Sequence, residues 1–230
     1  MESALLIWGG YEPHEPKEAL ERFVPFLQHA GFEVIQRNSL SVYEDELPVR
    51  RPTLIVHIVQ NWTTGDLTPG QFQHLSAAVR AGAGLVGWRG GLCDAFRHLP
   101  AYQFMTGGQW LAHPNGSEVP YRVEVVPSKA ADPVVAGISS FTIVSEQYYL
   151  AVDLGVEVPA TTTFRKPKEA PWIAEAVVPA VWRRKWDNGR VFYVSWGHAA
   201  SDFDIPEVGA IVERGMPWAA GRDQASALPR

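Results

Sequence analysis

The chain has 230 residues, with 20 Lys plus Arg against 25 Asp plus Glu, a formal net charge of −5. That balance argues against sequence-independent nucleic-acid binding, which needs a basic face, and one cysteine, Cys93, excludes an intramolecular disulfide and a four-cysteine zinc site. At this size roughly 70% of the unfolded surface can be buried, so one large domain folds without a metal or a disulfide. Ala4 to Trp8 is a short apolar run ending in Gly9-Gly10, which suits a strand buried on both faces. Glu18 to Ala30 places Leu20, Phe23, Val24 and Leu27 at helical spacing, with Gly31 as the stop. Phe32 to Gln36 and Thr53 to Val59 read as the next strands. Thr68-Pro69 opens a helix that ends near Gly82, and Gly84 to Trp88 is a fourth strand, followed at once by Gly90-Gly91.

Apolar strands alternating with amphipathic helices imply an α/β fold, with a mainly parallel sheet covered by helices on both faces. The C-terminal half adds strands at Tyr121 to Val126, Phe141 to Val144, Val156 to Phe164, Val177 to Trp182 and Val191 to Trp196, and Glu207 to Ala220 closes the fold as a helix. Residues 1–221 are expected to form one domain and 222–230 a flexible tail. No stretch reaches the ~18 apolar residues of a membrane helix. The run after Met1-Glu2-Ser3 is too short for a signal peptide. The expectation is a cytoplasmic protein with no membrane and no nucleic-acid partner.

Ligands of open α/β sheets bind outside the carboxyl ends of the strands. Four loops fall there: Gly9 to Pro16, Gln60 to Thr64, Arg89 to Gly91, and Gly197-His198. His14 lies in the first, either as a solvated or helix-capping histidine or as a base, hydrogen-bonding group or metal ligand. His198 ends the last strand. His113 lies in Gly107-Gly108-Gln109-Trp110-Leu111-Ala112-His113-Pro114, and Glu146 and Tyr148 follow an apolar strand, where an acid needs a partner or water. His57 reads as core, and His29, His74 and His98 as surface. Gly87-Trp88-Arg89-Gly90-Gly91 has the form of a nucleophile elbow at a strand-to-helix turn. Arginine stays protonated and cannot attack, but its forked donors can hold an anion or an oxygen. Cys93, one turn further on, reads as a buried inert thiol. Phosphate-loop and dinucleotide-binding glycine motifs are absent.

Five segments, in chain order, resemble the ThuA-like (trehalose utilisation) family of the class I glutamine amidotransferase-like superfamily. They are Trp8-Gly9-Gly10-Tyr11-Glu12-Pro13-His14-Glu15-Pro16; Gly84 to Gly91; Gly107-Gly108-Gln109-Trp110 with His113-Pro114; Asp132 to Ile138 with Ser145-Glu146-Gln147-Tyr148; and Gly189 to Tyr193 with Gly197-His198 and Trp218 to Gly221. The resemblance implies a three-layer flavodoxin-like fold that lacks the amidotransferase cysteine. It implies a polar site at His14, His113, Glu146, Tyr148 and His198. Two departures stand out: Arg89 sits where members commonly carry histidine, and Asp132-Pro133 replaces a common His-Pro.

The reading adopted is an enzyme acting on a sugar or sugar derivative, of trehalose or keto-disaccharide type. His14, His198, Glu146 and Tyr148 carry acid–base work. Arg89 and His113 bind substrate, and Trp62, Trp88, Trp110 and Trp196 lie at or beside the loop edge, where flat rings suit a pyranose; core filling is the bland alternative. No cofactor is expected. A metal-assisted variant would place zinc or another divalent ion on His14, His113, His198 and Glu146, although no His-x-x-x-His spacing supports it. The competing class is a non-catalytic carbohydrate- or anion-binding regulatory domain, which Arg89 at the elbow favours. Glutamine amidotransfer is excluded by that same residue. The partner expected is a small carbohydrate, with homo-oligomerisation left open.

Overall fold

The structure is a computed structural model that describes residues 2–60, 66–168 and 170–222. The chain begins with β1 (Ser3–Gly9), α1 (Pro16–Glu21), α2 (Val24–His29) and β2 (Glu33–Arg37), then α3 (Val42–Asp45), α4 (Leu47–Arg50) and β3 (Leu54–Val59). α5 (Pro69–Arg80), β4 (Gly84–Trp88), α6 (Gly90–Cys93), α7 (Pro100–Thr106) and β5 (Gly108–Ala112) follow. The second half holds β6 (Val119–Val125), β7 (Phe141–Ser145), β8 (Tyr149–Val152), β9 (Glu157–Phe164), β10 (Ala176–Trp186), β11 (Gly189–Val194) and α8 (Pro206–Ala219).

Among the described residues nine strands form one sheet in the order β2-β1-β3-β4-β11-β10-β9-β6-β7, and β5 pairs with β8 as a small separate sheet. The first five strands are parallel to their neighbours, and the pairs from β11 outward to β7 are antiparallel. The expected α/β architecture is therefore present, with its parallel core extended by an antiparallel wing.

The parallel strands are apolar throughout because each is covered twice. Ala4 and Leu6 of β1, with Leu54 and Val56 of β3, pack under α1, α2 and α8 through Leu20, Phe23, Leu27, Ile211 and Met216. Leu5 and Ile7, with Ile55 and Leu85, face the other way, onto Tyr43, Leu47, Leu75 and Val79. Period-2 alternation thus splits one apolar run into two cores, each large side chain contributing about 1.5–3 kcal/mol.

Two local departures from the sequence reading have plain causes. The helix expected over Glu18 to Ala30 is broken at Arg22–Phe23 into α1 and α2. Pro25 has no N–H to give the carbonyl four residues back, so the turn there cannot continue one helix. The short α3 and α4 fill a stretch in which no element was expected. The helix expected from Thr68 does form, closed by a capping box: the Gln71 N–H donates to Thr68 Oγ1 at 3.1 Å and the Thr68 N–H to Gln71 Oε1 at 3.0 Å. Gly84 is required by the approach of α8 to β4, because a Cβ there would stand 2.5 Å from the Ala219 carbonyl. No helix among the described residues is long and apolar enough to cross a membrane.

Candidate functional site

The carboxyl ends of β1, β3, β4 and β11 carry four of the site's side chains. After β1 the chain turns at Gly10, whose φ of +96° brings its backbone against Gln60; a Cβ there would meet the Gln60 carbonyl oxygen at 2.3 Å. A 3-10 turn, Glu12–His14, follows and presents His14, whose Nδ1 pairs with Gln60 Oε1. Glu15 pins this loop to the far side of the site by accepting the Ala200 N–H at 2.9 Å.

Arg89 occupies the turn between β4 and α6 with φ 44° and ψ −140°. A non-glycine residue in this region costs about 1–3 kcal/mol, and the surroundings must hold it. Here the Arg89 N–H donates to the Val194 carbonyl at 2.8 Å and Tyr193 Oη donates to the Arg89 carbonyl at 3.1 Å. The elbow read from the sequence is present, with a guanidinium on it.

Glu146 arrives from the antiparallel wing, just beyond β7, and is 5% exposed; Arg89 is 3% exposed. The two form a buried ion pair through Arg89 Nη2 and Glu146 Oε2, and the same Nη2 lies 3.0 Å from His14 Nε2. His198 Nδ1 stands 3.4 Å from Glu146 Oε1, and His113 Nε2 stands 3.8 Å from that oxygen. The rings of His14 and His198 meet at 5.1 Å. The small β5–β8 sheet brings the last group: His113 lies just after β5 and Tyr148 just before β8, their rings stacked at 6.1 Å, with Trp110 5.6 Å from His113.

Burial, and next the Arg89 charge, lower the pKa of His14 to about 4. The same two causes, in that order, lower that of His198. Both imidazoles are therefore neutral at pH 7 and can accept a proton. Burial raises the Tyr148 hydroxyl well above its ordinary value, so it stays a donor.

His14, Arg89, His113, Glu146, Tyr148 and His198 are thus brought together, with Trp110 at the margin. Trp88 and Trp196 are not available as platforms: both are fully buried, Trp88 against Phe23 and Phe203 and Trp196 against Phe141, so neither offers a ring face to a ligand. Each sits at or just past the end of its strand, where a side chain can turn inward as easily as outward. Trp62 lies outside the described residues. Cys93 is buried, and burial pushes its thiol up, away from the reactive thiolate.

Three polar residues were missed as site members. Asp202 Oδ2 accepts Ser145 Oγ at 2.7 Å and the N–H groups of Gly197 and His198 at 3.1 and 2.9 Å, tying the end of β7 to the loop after β11. Gln60 orients His14. Asp94 is buried beside Arg97, and burial raises its carboxyl pKa. An acid four residues after a loop histidine is the one signal that pointed to Asp202.

His14, Glu146 and His198 offer ligand atoms within 4.8 Å of one another, a spacing open to a metal ion; His113 falls outside that group. Next to His14 lies a small cavity of about 10 Å³, room for about one water, lined by His14, Gln60, Trp88, Arg89 and Gly197 but by neither Glu146 nor His198. Beside it lies an open groove of about 600 Å³ lined by Asn115, Tyr121, Gln147, Arg165, Lys166 and Lys168. None of the six gathered side chains lines the groove, but its lining residues adjoin the site along the chain: Gln147 follows Glu146, Asn115 lies two residues after His113, and Tyr121 Oη donates to the Glu146 carbonyl at 3.4 Å.

Residues 4–219 match the model of a family described as ThuA, trehalose utilisation. Among solved structures, a ThuA-like protein of Bacteroides uniformis is 22% identical with a TM-score of 0.71, over 96% of this chain and 93% of its own. A ThuA-like protein of Parabacteroides merdae is 16% identical with a TM-score of 0.74, over 100% and 94%. A cytoplasmic protein of Salmonella typhimurium is 10% identical with a TM-score of 0.60, over 94% and 99%. No curated protein matches the chain in sequence.

Proposed function

The chain belongs to the ThuA (trehalose utilisation) family, and from that premise we propose that it is an enzyme acting on a sugar or sugar derivative by acid–base chemistry. One observation carries the reading: two neutral imidazoles, His14 and His198, share a buried point with the Arg89–Glu146 pair at the ends of the parallel strands. In this scheme a neutral imidazole takes a proton from a sugar hydroxyl or from water. Arg89 donates to the oxygen that gains negative charge, and Tyr148 donates a second bond. Glu146 stabilises the imidazolium that forms at His198.

The neighbouring groove has the volume for a sugar of one or two rings. Arg165, Lys166 and Lys168 suit a derivative that carries a negative charge. Trp110, half-buried beside His113, is the tryptophan best placed among those described to meet a ring.

The test is turnover of trehalose, related disaccharides and their oxidised keto forms by the wild type and by His198→Ala and Glu146→Ala. Loss of roughly 10²–10⁴-fold in the His198 variant is expected for an acid–base group. Equal turnover in all three proteins would sink the assignment. A second reading, a non-catalytic carbohydrate- or anion-binding domain, is favoured by Arg89 standing at the elbow in place of a nucleophile. Calorimetric binding of those sugars, with no product formed from any of them, would select it.

A further inference from the structure

His14, Glu146 and His198 present two imidazole nitrogens and one carboxylate oxygen toward a common point. Two histidines and one glutamate are also the donor set of a major class of catalytic zinc sites, where each donor stands about 2.0–2.2 Å from the ion. His198 Nδ1 is buried and without a hydrogen-bond partner, which leaves it as an open donor atom facing Glu146. The side of that point between His14 and Glu146 is nevertheless taken. Arg89 Nη2 lies 3.0 Å from His14 Nε2 and bonds Glu146 Oε2 as well, so a single nitrogen serves two of the three donors.

We propose that the triad is a divalent-cation site whose cation is supplied by the chain itself: Arg89 is a tethered guanidinium that keeps zinc and similar ions out, and its removal opens the site to them. Two cations cannot share the position. An ion about 2.1 Å from His14 Nε2 and from Glu146 would overlap Nη2, and the like charges would repel at short range in a poorly solvated site. Arginine does not escape by losing a proton. Nor can it readily swing aside. Its backbone is held on both sides of the elbow and its side chain is buried. Withdrawal would also leave Glu146 as an unpaired buried charge, which is strongly unfavourable.

The exchange changes what the site can do. A guanidinium brings one positive charge and directional donors, well matched to a carboxylate, phosphate or alkoxide oxygen. It offers no open coordination position on which a water could be acidified, so the proton-accepting duty stays with the imidazoles. This inference concerns the cation alone and stands whether or not the substrate is a sugar.

The test is zinc binding at pH 7 by calorimetry, with elemental analysis after dialysis, on protein carrying no histidine tag. The wild type is expected to retain no stoichiometric zinc. Arg89→Ala and Arg89→His are expected to bind about one equivalent, roughly a hundredfold tighter or more, because two or three nitrogens and a carboxylate then face a free position. Arg89→Ala/His198→Ala is expected to lose that binding, which assigns it to the triad. Circular dichroism identifies which variants are folded, and the histidine variant retains a polar group if the alanine variant does not fold. One equivalent of zinc on the wild-type triad, or no gain in a folded Arg89 variant, would overturn the proposal.

Discussion

The parallel half of the sheet and its antiparallel wing bury their residues in different ways. Every residue of β3 and β4 is buried, whereas β7 alternates buried and exposed positions and ends the sheet as an edge strand. A strand sealed on both faces can show a reactive group only where it ends. His14 and Arg89 sit at such ends, while His57, in the middle of β3, is enclosed with Tyr43 as its hydrogen-bond partner. The wing has an open face, and it supplies the acid and the basic groove, while the small β5–β8 sheet adds the stacked His113 and Tyr148. The Arg89–Glu146 pair joins the two halves, so the comparison can be broken most directly there.

Glu146→Ala should have the largest effect. It leaves the Arg89 charge buried and unpaired, so a loss of about 3–5 kcal/mol in urea denaturation is expected. A loss below about 1 kcal/mol would mean that the pair is solvated and the halves are joined elsewhere. Next comes Gly84→Ala in the sealed half. The new Cβ meets backbone of α8, which has no flexible end to yield, and about 1–3 kcal/mol should be lost. Val144→Thr on the open face of β7, where the side chain is 58% exposed, should stay within about 0.5 kcal/mol. Equal costs at these two positions would remove the distinction between the halves.

Acid should act on the sealed half. Burial lowers the pKa of His57 from 6.5 to about 3, so the unfolded chain binds the proton first as pH falls. Stability from keeping this ring neutral is therefore present above pH 6.5 and is lost as pH falls toward 3. His57→Leu should flatten the decline of stability over that window, relative to wild type, by up to about 1.4 kcal/mol per pH unit. Identical slopes in the two proteins would show that His57 is not the group responsible. The smallest stability effect belongs to the wing: Lys166→Glu with Lys168→Glu should leave stability within about 0.5 kcal/mol, while weakening binding of an anionic sugar more than of a neutral one. Equal weakening would separate the groove from charge recognition.

The parts of the fold that could be read from the sequence are those whose signal is local. β1, β3 and β4 are mostly apolar runs, the first and last closed by glycine, and α5 carries its cap in Thr68 and Gln71. Pro25 was visible, and it is what breaks the first helix. The β5–β8 sheet was not legible as strands. Trp110 and Leu150 pair across forty residues, and neither segment has the length or alternation to declare itself alone. His113 and Tyr148 were nonetheless singled out, on loop composition and family resemblance, and the small sheet explains why they meet. Gln60 was passed over because its role is a contact with His14, 46 residues away, and Asp202 because its link to Ser145, 57 residues away, is what ties it to the site.

What the sequence by itself determined is the family, the α/β class and the edge of the sheet at which polar groups gather. Apolar periodicity, glycine turns and the residue types at strand ends are all local properties, and they survive without a partner. Only the tertiary structure decided which side chains share a space. It turned Trp88 and Trp196 into core, because a ring at a strand end faces whichever side is covered. It also set Arg89 against both His14 and Glu146, residues that lie 75 and 57 positions away. No local pattern records that distance, since the contact exists only when the antiparallel wing is laid beside the parallel core.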